Sequence, residues 1–141
     1  MAAIDESTAC LRLIGDDLDP EEVTRILGKA PTRSERKGDV IRNQSGHERI
    51  ARTGSWRLDA TDCHPENIDG QVSEILSGLT TNLDAWRALS ARHRVDMFCG
   101  LFMRESNEGI ELSPATTLEL GRRGILIGFD IYAPTTEKAA E

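Results

Sequence analysis

The chain has 141 residues, 24 acidic against 17 basic, for a formal charge of −7. That length fits one domain with its own core, and the acidic balance argues against nucleic acid as a partner. The longest apolar runs are too short to cross a bilayer. The opening Met-Ala-Ala-Ile-Asp-Glu-Ser lacks the basic-then-apolar order of a secretory signal. Three widely spaced cysteines, Cys10, Cys63 and Cys99, do not make a disulfide framework, so the expected setting is soluble and cytoplasmic.

Residues 1–8 are polar and read as a frayed end. Cys10 to Gly15 is a strand, with Leu11 and Leu13 on one face and Cys10, Arg12 and Ile14 on the other. Asp19 is a strong helix N-cap followed by Pro20, with Glu22 placed for a capping box. Val23, Ile26 and Leu27 form the buried stripe of that helix, and Gly28 ends it. Pro31 to Thr53 is a long basic connection. It carries Arg33, Arg36, Lys37, Arg42, Arg49 and Arg52 against Glu35, Asp39 and Glu48, with Val40, Ile41 and Ile50 as a short extended piece. Connections of this length inside a compact domain are functional or mobile.

Gly54 to Asp59 alternates as a strand, with Trp56 and Leu58 facing one way and Arg57 and Asp59 the other. Ile68 through Trp86 keeps a three-and-four spacing. Gly78 and Thr80-Thr81-Asn82 interrupt it, which predicts a kink or two helices. Val95 to Met103 reads as a central strand, turned back by Ser106 to Gly109 into a partner strand over Ile110 to Leu112. Ser113 and Pro114 open the last helix, over Leu118 and Leu120. In the closing strand Ile125, Ile127, Phe129 and Ile131 face inward and Leu126, Gly128, Asp130 and Tyr132 outward. A polar tail follows from Pro134. The fold class is α+β: two strand–helix–strand units joined by a long helix, kinked or broken in two, with helices on one face of a mostly antiparallel sheet. The arrangement is related to the ferredoxin-like duplication.

Seven pieces stand in order along the chain: Gly15-Asp-Asp-Leu-Asp-Pro20, Leu27-Gly-Lys-Ala-Pro-Thr32, Arg36-Lys-Gly38, Gly54-Ser-Trp56, Asp96-Met-Phe-Cys-Gly100, Glu111-Leu-Ser-Pro114 and Asp130-Ile-Tyr132. As a set they resemble a bacterial family of unknown function, domain of unknown function 4279. The resemblance implies a small single-domain bacterial protein and carries over no activity and no catalytic residue.

On the residues themselves, the alternation puts Arg12, Arg57, Asp96, Asp130 and Tyr132 on the sheet face away from the helices, with the basic loop over it. That face is the expected working surface. Its candidate contacts are Arg33, Arg36, Lys37, Trp56, Arg57, Asp96, Asp130 and Tyr132, and the expected partner is a protein or a small anionic ligand. Asp16 and Asp17 are hard oxygen ligands at close spacing, but capping and dipole compensation account for the acids beside them. Cys63-His64 lacks the ligand spacing of a zinc site, and no cofactor is expected.

Three functions follow. The first is a non-enzymatic binding module, an immunity protein that blocks a toxin being one version. The second is a small-molecule or metal-assisted enzyme using Asp16, Asp17, Asp96 or Asp130 with Arg57 and Tyr132. The third is a phosphate-ligand binder holding its ligand with Arg33, Arg36, Lys37 and Arg57. The oligomeric state is left open.

Overall fold

A computed structural model describes residues 2–134. In chain order the elements are β1 (Glu6–Gly15), α1 (Pro20–Leu27), β2 (Arg33–Glu35), β3 (Val40–Arg42), β4 (Glu48–Ile50), β5 (Gly54–Asp59), α2 (Ile68–Ser77), α3 (Leu83–Arg92), β6 (Arg94–Phe102), α4 (Pro114–Arg122) and β7 (Leu126–Tyr132). Five strands form one sheet in the order β2-β5-β1-β6-β7, and β3 and β4 make a separate hairpin. All pairs in the large sheet are antiparallel except β6–β7.

The α+β expectation holds, with helices packed on one face. The two strand–helix–strand units are nevertheless not copies of each other. β1 and β5 close antiparallel around α1, whereas β6 and β7 run parallel because α4 carries the chain back over the sheet.

The alternation read from the sequence sorts the strands correctly. Leu11, Leu13, Trp56, Met97, Cys99 and Leu101 lie under the helices and are essentially inaccessible. Trp56 also donates its indole Nε1–H to Thr24 Oγ1 at 3.0 Å, which ties β5 to α1. The first helix begins as its sequence dictates: Asp19 accepts the amide of Glu21, Pro20 stands first, and Gly28 closes the helix at φ 86°. Glu22 does not close a capping box; its carboxylate takes Arg92 of α3 at 2.7 Å.

Two expectations change, and a third, a kink or two helices after Ile68, resolves to two helices. Residues 1–8 are not a frayed end as far as they are described: Ile4 is buried, β1 begins at Glu6, and Ser7 is inaccessible. The reason is Gln71 of α2, wholly buried, which accepts from the Ser7 hydroxyl at 2.7 Å and donates to the carbonyls of Ser7 and Thr61, both at 2.9 Å. The segment over Ile110 to Leu112 is not a strand; a single bridge joins Gly109 to Ala3, while Ile110 and Leu112 pack on the core. The long helix is two, capped separately by Asn67 and Asn82. Beyond Pro134, the expected polar tail lies outside the described residues.

Candidate functional site

The outer face of the sheet, opposite the helices, gathers the chain's unusual charges. Register places Arg33 of β2 directly across from Arg57 of β5, Arg57 across from Arg12 of β1, and Arg12 across from Asp96 of β6. Strands are about 4.8 Å apart, so the three arginines span roughly 10 Å in one row. Like charges facing each other across strands work against the sheet, so their compensation decides what the row is for.

Only Arg12 has a full partner. It donates from Nε and Nη2 to the two oxygens of Asp96 at 2.8 and 2.7 Å, and its guanidinium lies 4.4 Å over the Phe98 ring. Arg94 adds a longer bond to the same carboxylate at 3.3 Å. Burial alone would raise the Asp96 carboxyl, but the hydrogen bonds and charge of Arg12, with help from Arg94, hold it below the usual carboxylate range. Asp96 therefore stays ionised and is fully engaged. Arg33 and Arg57 make no ion pair among the described residues, nor does Arg52 close by.

The β3–β4 hairpin turns this flat face into a cleft. Its own ladder is extended by the amide of Gly38 to Ala51 O and that of Ala51 to Asp39 O, both at 2.8 Å, and Arg49 ties it to the sheet by gripping Glu35 of β2 at 2.8 Å. Between hairpin and sheet lies a cleft of about 1090 Å³ with Ser55 and Arg57 on its floor, Arg49 and Arg52 on its walls, and Val40 and Ile50 at its lip. Val40 and Ile50 pair across the hairpin and are 62 % and 66 % exposed, an unusual degree for two aliphatic side chains side by side. One oxygen of Glu35, Oε2, is buried in this neighbourhood with no donor.

The residues singled out from the sequence fall into four places. Arg33, Arg57 and Asp96 share the outer face. Asp130 and Tyr132 lie on that face too, but on the far strand. Tyr132 donates its hydroxyl to Asp130 at 2.6 Å and stacks on Phe102 with ring centres 4.7 Å apart. Arg36 and Lys37 point to the acidic turn: Arg36 meets Asp19 at 2.8 Å, and Lys37 meets Asp16 at 3.3 Å. Trp56 must be removed from the surface set, because it is wholly buried under α1 and no visitor to the outer face reaches it.

Three of the four acids proposed for enzyme chemistry are already engaged: Asp16 by Lys37, Asp96 by Arg12, and Asp130 by Tyr132. The described residues hold no group of three His, Cys, Asp or Glu side chains able to hold a metal ion, so Asp16 and Asp17 stand without further ligands.

Sequence reading passed over Arg52, the Glu35–Arg49 clamp and the apolar lip. Register and hairpin pairing, which create all three, have no local signature in a loop this irregular. It also missed a smaller cleft of about 340 Å³ between α2 and α4, lined by Val72, Leu76, Asp69 and Arg123. Arg123 is nearly buried there and donates to Glu119 Oε2 at 2.6 Å.

No curated protein and no solved structure matches the chain. The sequence profile described as Domain of unknown function (DUF4279) matches residues 5–134, which takes in every strand and helix above as well as the outer face. The chain belongs to the DUF4279 family.

Proposed function

We propose that the protein is a binding module that recognises an oxyanion-bearing ligand on the outer face of its sheet, beneath the β3–β4 hairpin. The observation that carries this is the row of Arg33, Arg57 and Arg12 across three adjacent strands, of which only Arg12 is neutralised by a carboxylate. A sheet that merely needed polar cover would alternate signs at these positions, as cross-strand pairs usually do. Guanidinium forks suit carboxylate and phosphate oxygens. A concave site with uncompensated charge concentrates such ligands. Catalysis is not part of this reading: the thiol nearest the arginines, Cys10, is pushed up to about 12 by burial and by Asp59, away from the thiolate that a nucleophile requires.

The test is a titration of the isotope-labelled protein with inorganic phosphate and with citrate at constant ionic strength, following the arginine Nε–H resonances. Saturable shifts at Arg33, Arg52 and Arg57, abolished in Arg57→Gln, are the expected result. Small anions held by a few arginines bind in about the millimolar range. If neither anion moves those resonances well above that range, the reading is wrong.

A further inference from the structure

The cleft under the hairpin offers two unmet demands within one space. Arg52 and Arg57 have no acceptor among the described residues. Val40 and Ile50 stand side by side in water at the lip. A bare phosphate or citrate answers only the first, because it covers no apolar surface.

An extended peptide answers both. Its carboxylate side chains accept from the arginines, and a neighbouring aliphatic side chain covers Val40 and Ile50. We propose that the cleft takes an acidic peptide segment of a partner protein, with one or two carboxylates beside a large aliphatic residue. This rests on the anion-binding reading above and names the source of the anion.

The experiment begins with selection of phage-displayed random heptapeptides on the whole protein. The winning sequences are then synthesised and measured by fluorescence anisotropy. The expected winners place Asp or Glu beside Leu, Ile, Val or Met. Replacing the peptide acid by its amide, or the protein's Arg57 by Gln, should weaken binding roughly tenfold or more. Val40→Ser with Ile50→Ser alters only exposed positions. It should weaken the peptide severalfold while leaving the phosphate-induced shifts at Arg57 unchanged.

Winners without acids, or winners indifferent to both Arg57→Gln and the hairpin variant, overturn the proposal. Phosphate binding at Arg57 with no acidic winner overturns the peptide but leaves the anion site standing. If neither phosphate nor any peptide engages Arg57, both readings fall together.

Discussion

Replacing Asp96 with alanine should be among the most damaging single changes on the outer face. Its carboxylate is 3 % exposed and receives two short bonds from Arg12, whose own side chain is 20 % exposed. Removing one partner of a buried pair leaves the other charge uncompensated, at a typical cost of about 3–5 kcal/mol. Arg12 can still reach some water and keeps its contact with Phe98, so the lower end, about 3 kcal/mol, is the better figure. For a chain of this size that lowers Tm by about 10 °C. Urea melts of wild type and variant measure it directly.

The double change Arg12→Leu with Asp96→Leu should recover much of the loss, because a packed apolar pair replaces the ionic one. The Asp96 carboxyl is held low in the folded state. Its stabilising contribution is therefore complete above the unfolded value near 3.9 and is lost as pH falls through the folded one. Asp96→Asn should remove that acid-side dependence. It should also tighten anion binding, since it deletes the counter-charge of Arg12. A loss below about 1 kcal/mol in Asp96→Ala would place the pair among ordinary surface bridges and refute the claim that the outer face is organised around it.

Gln71→Leu strands the Ser7 hydroxyl and two carbonyls, and urea melts should show a loss of about 2–4 kcal/mol, with the first strand exchanging its amide hydrogens sooner. Burial pushes the thiols of Cys10, with help from Asp59, and of Cys99, with help from Asp96, up to about 12. Mass spectrometry after iodoacetamide near neutral pH should therefore find Cys63 modified and the other two intact until denaturant is added. Burial, then the charge of Arg92, lowers the His93 value despite Glu22 and Asp17 on the other side. Stability should thus be full above the unfolded value near 6.5 and fall as pH drops below it, and His93→Asn should flatten that region of a pH–Tm curve. Arg36→Gln should lower Tm slightly and leave phosphate binding intact, because it frees the Asp19 cap. Arg57→Gln should do the reverse, abolishing binding at unchanged or higher Tm.

Much of this architecture is legible because β-strands have a period of two and the apolar residues obey it. Leu11 and Leu13, Trp56 and Leu58, and Ile125 and Ile127 assign the faces, and with them the outward position of Arg12, Arg57, Asp96, Asp130 and Tyr132. Helix boundaries follow from caps that act locally: Asp19-Pro20, Asn67, Asn82 and Ser113-Pro114. What resists reading is long-range. Ile110 and Leu112 alternate like a strand yet find no sheet edge open to them, since β7 already fills the place beside β6. The closing strand's inner face is less covered than its pattern suggests, with Phe129 38 % and Ile131 58 % exposed. The helix layer simply ends before that edge. Ser7 looks polar and dispensable until Gln71 arrives from sixty-four positions away.

The basic loop and the acidic turn look like two sites in the sequence, one for anions and one for cations, and the fold cancels much of each against the other. Lys37 spends its charge on Asp16, Arg36 on Asp19 and Glu21, and Arg42 on Glu48 within the hairpin. The loop's composition is thus a poor guide to its function, because Arg36, Lys37, Arg42 and Arg49, four of its six cations, fasten it to the acidic turn and hold the hairpin. What survives the cancellation among the described residues is small and located: Arg52 and Arg57 in the cleft where the hairpin overhangs the sheet, and Arg33 across the strand from Arg57. A protein that had only to fold could have placed an acid at any of these positions. On the proposed reading, Arg52 and Arg57 are kept there beside two bare aliphatic side chains so that a segment from outside the chain completes the set.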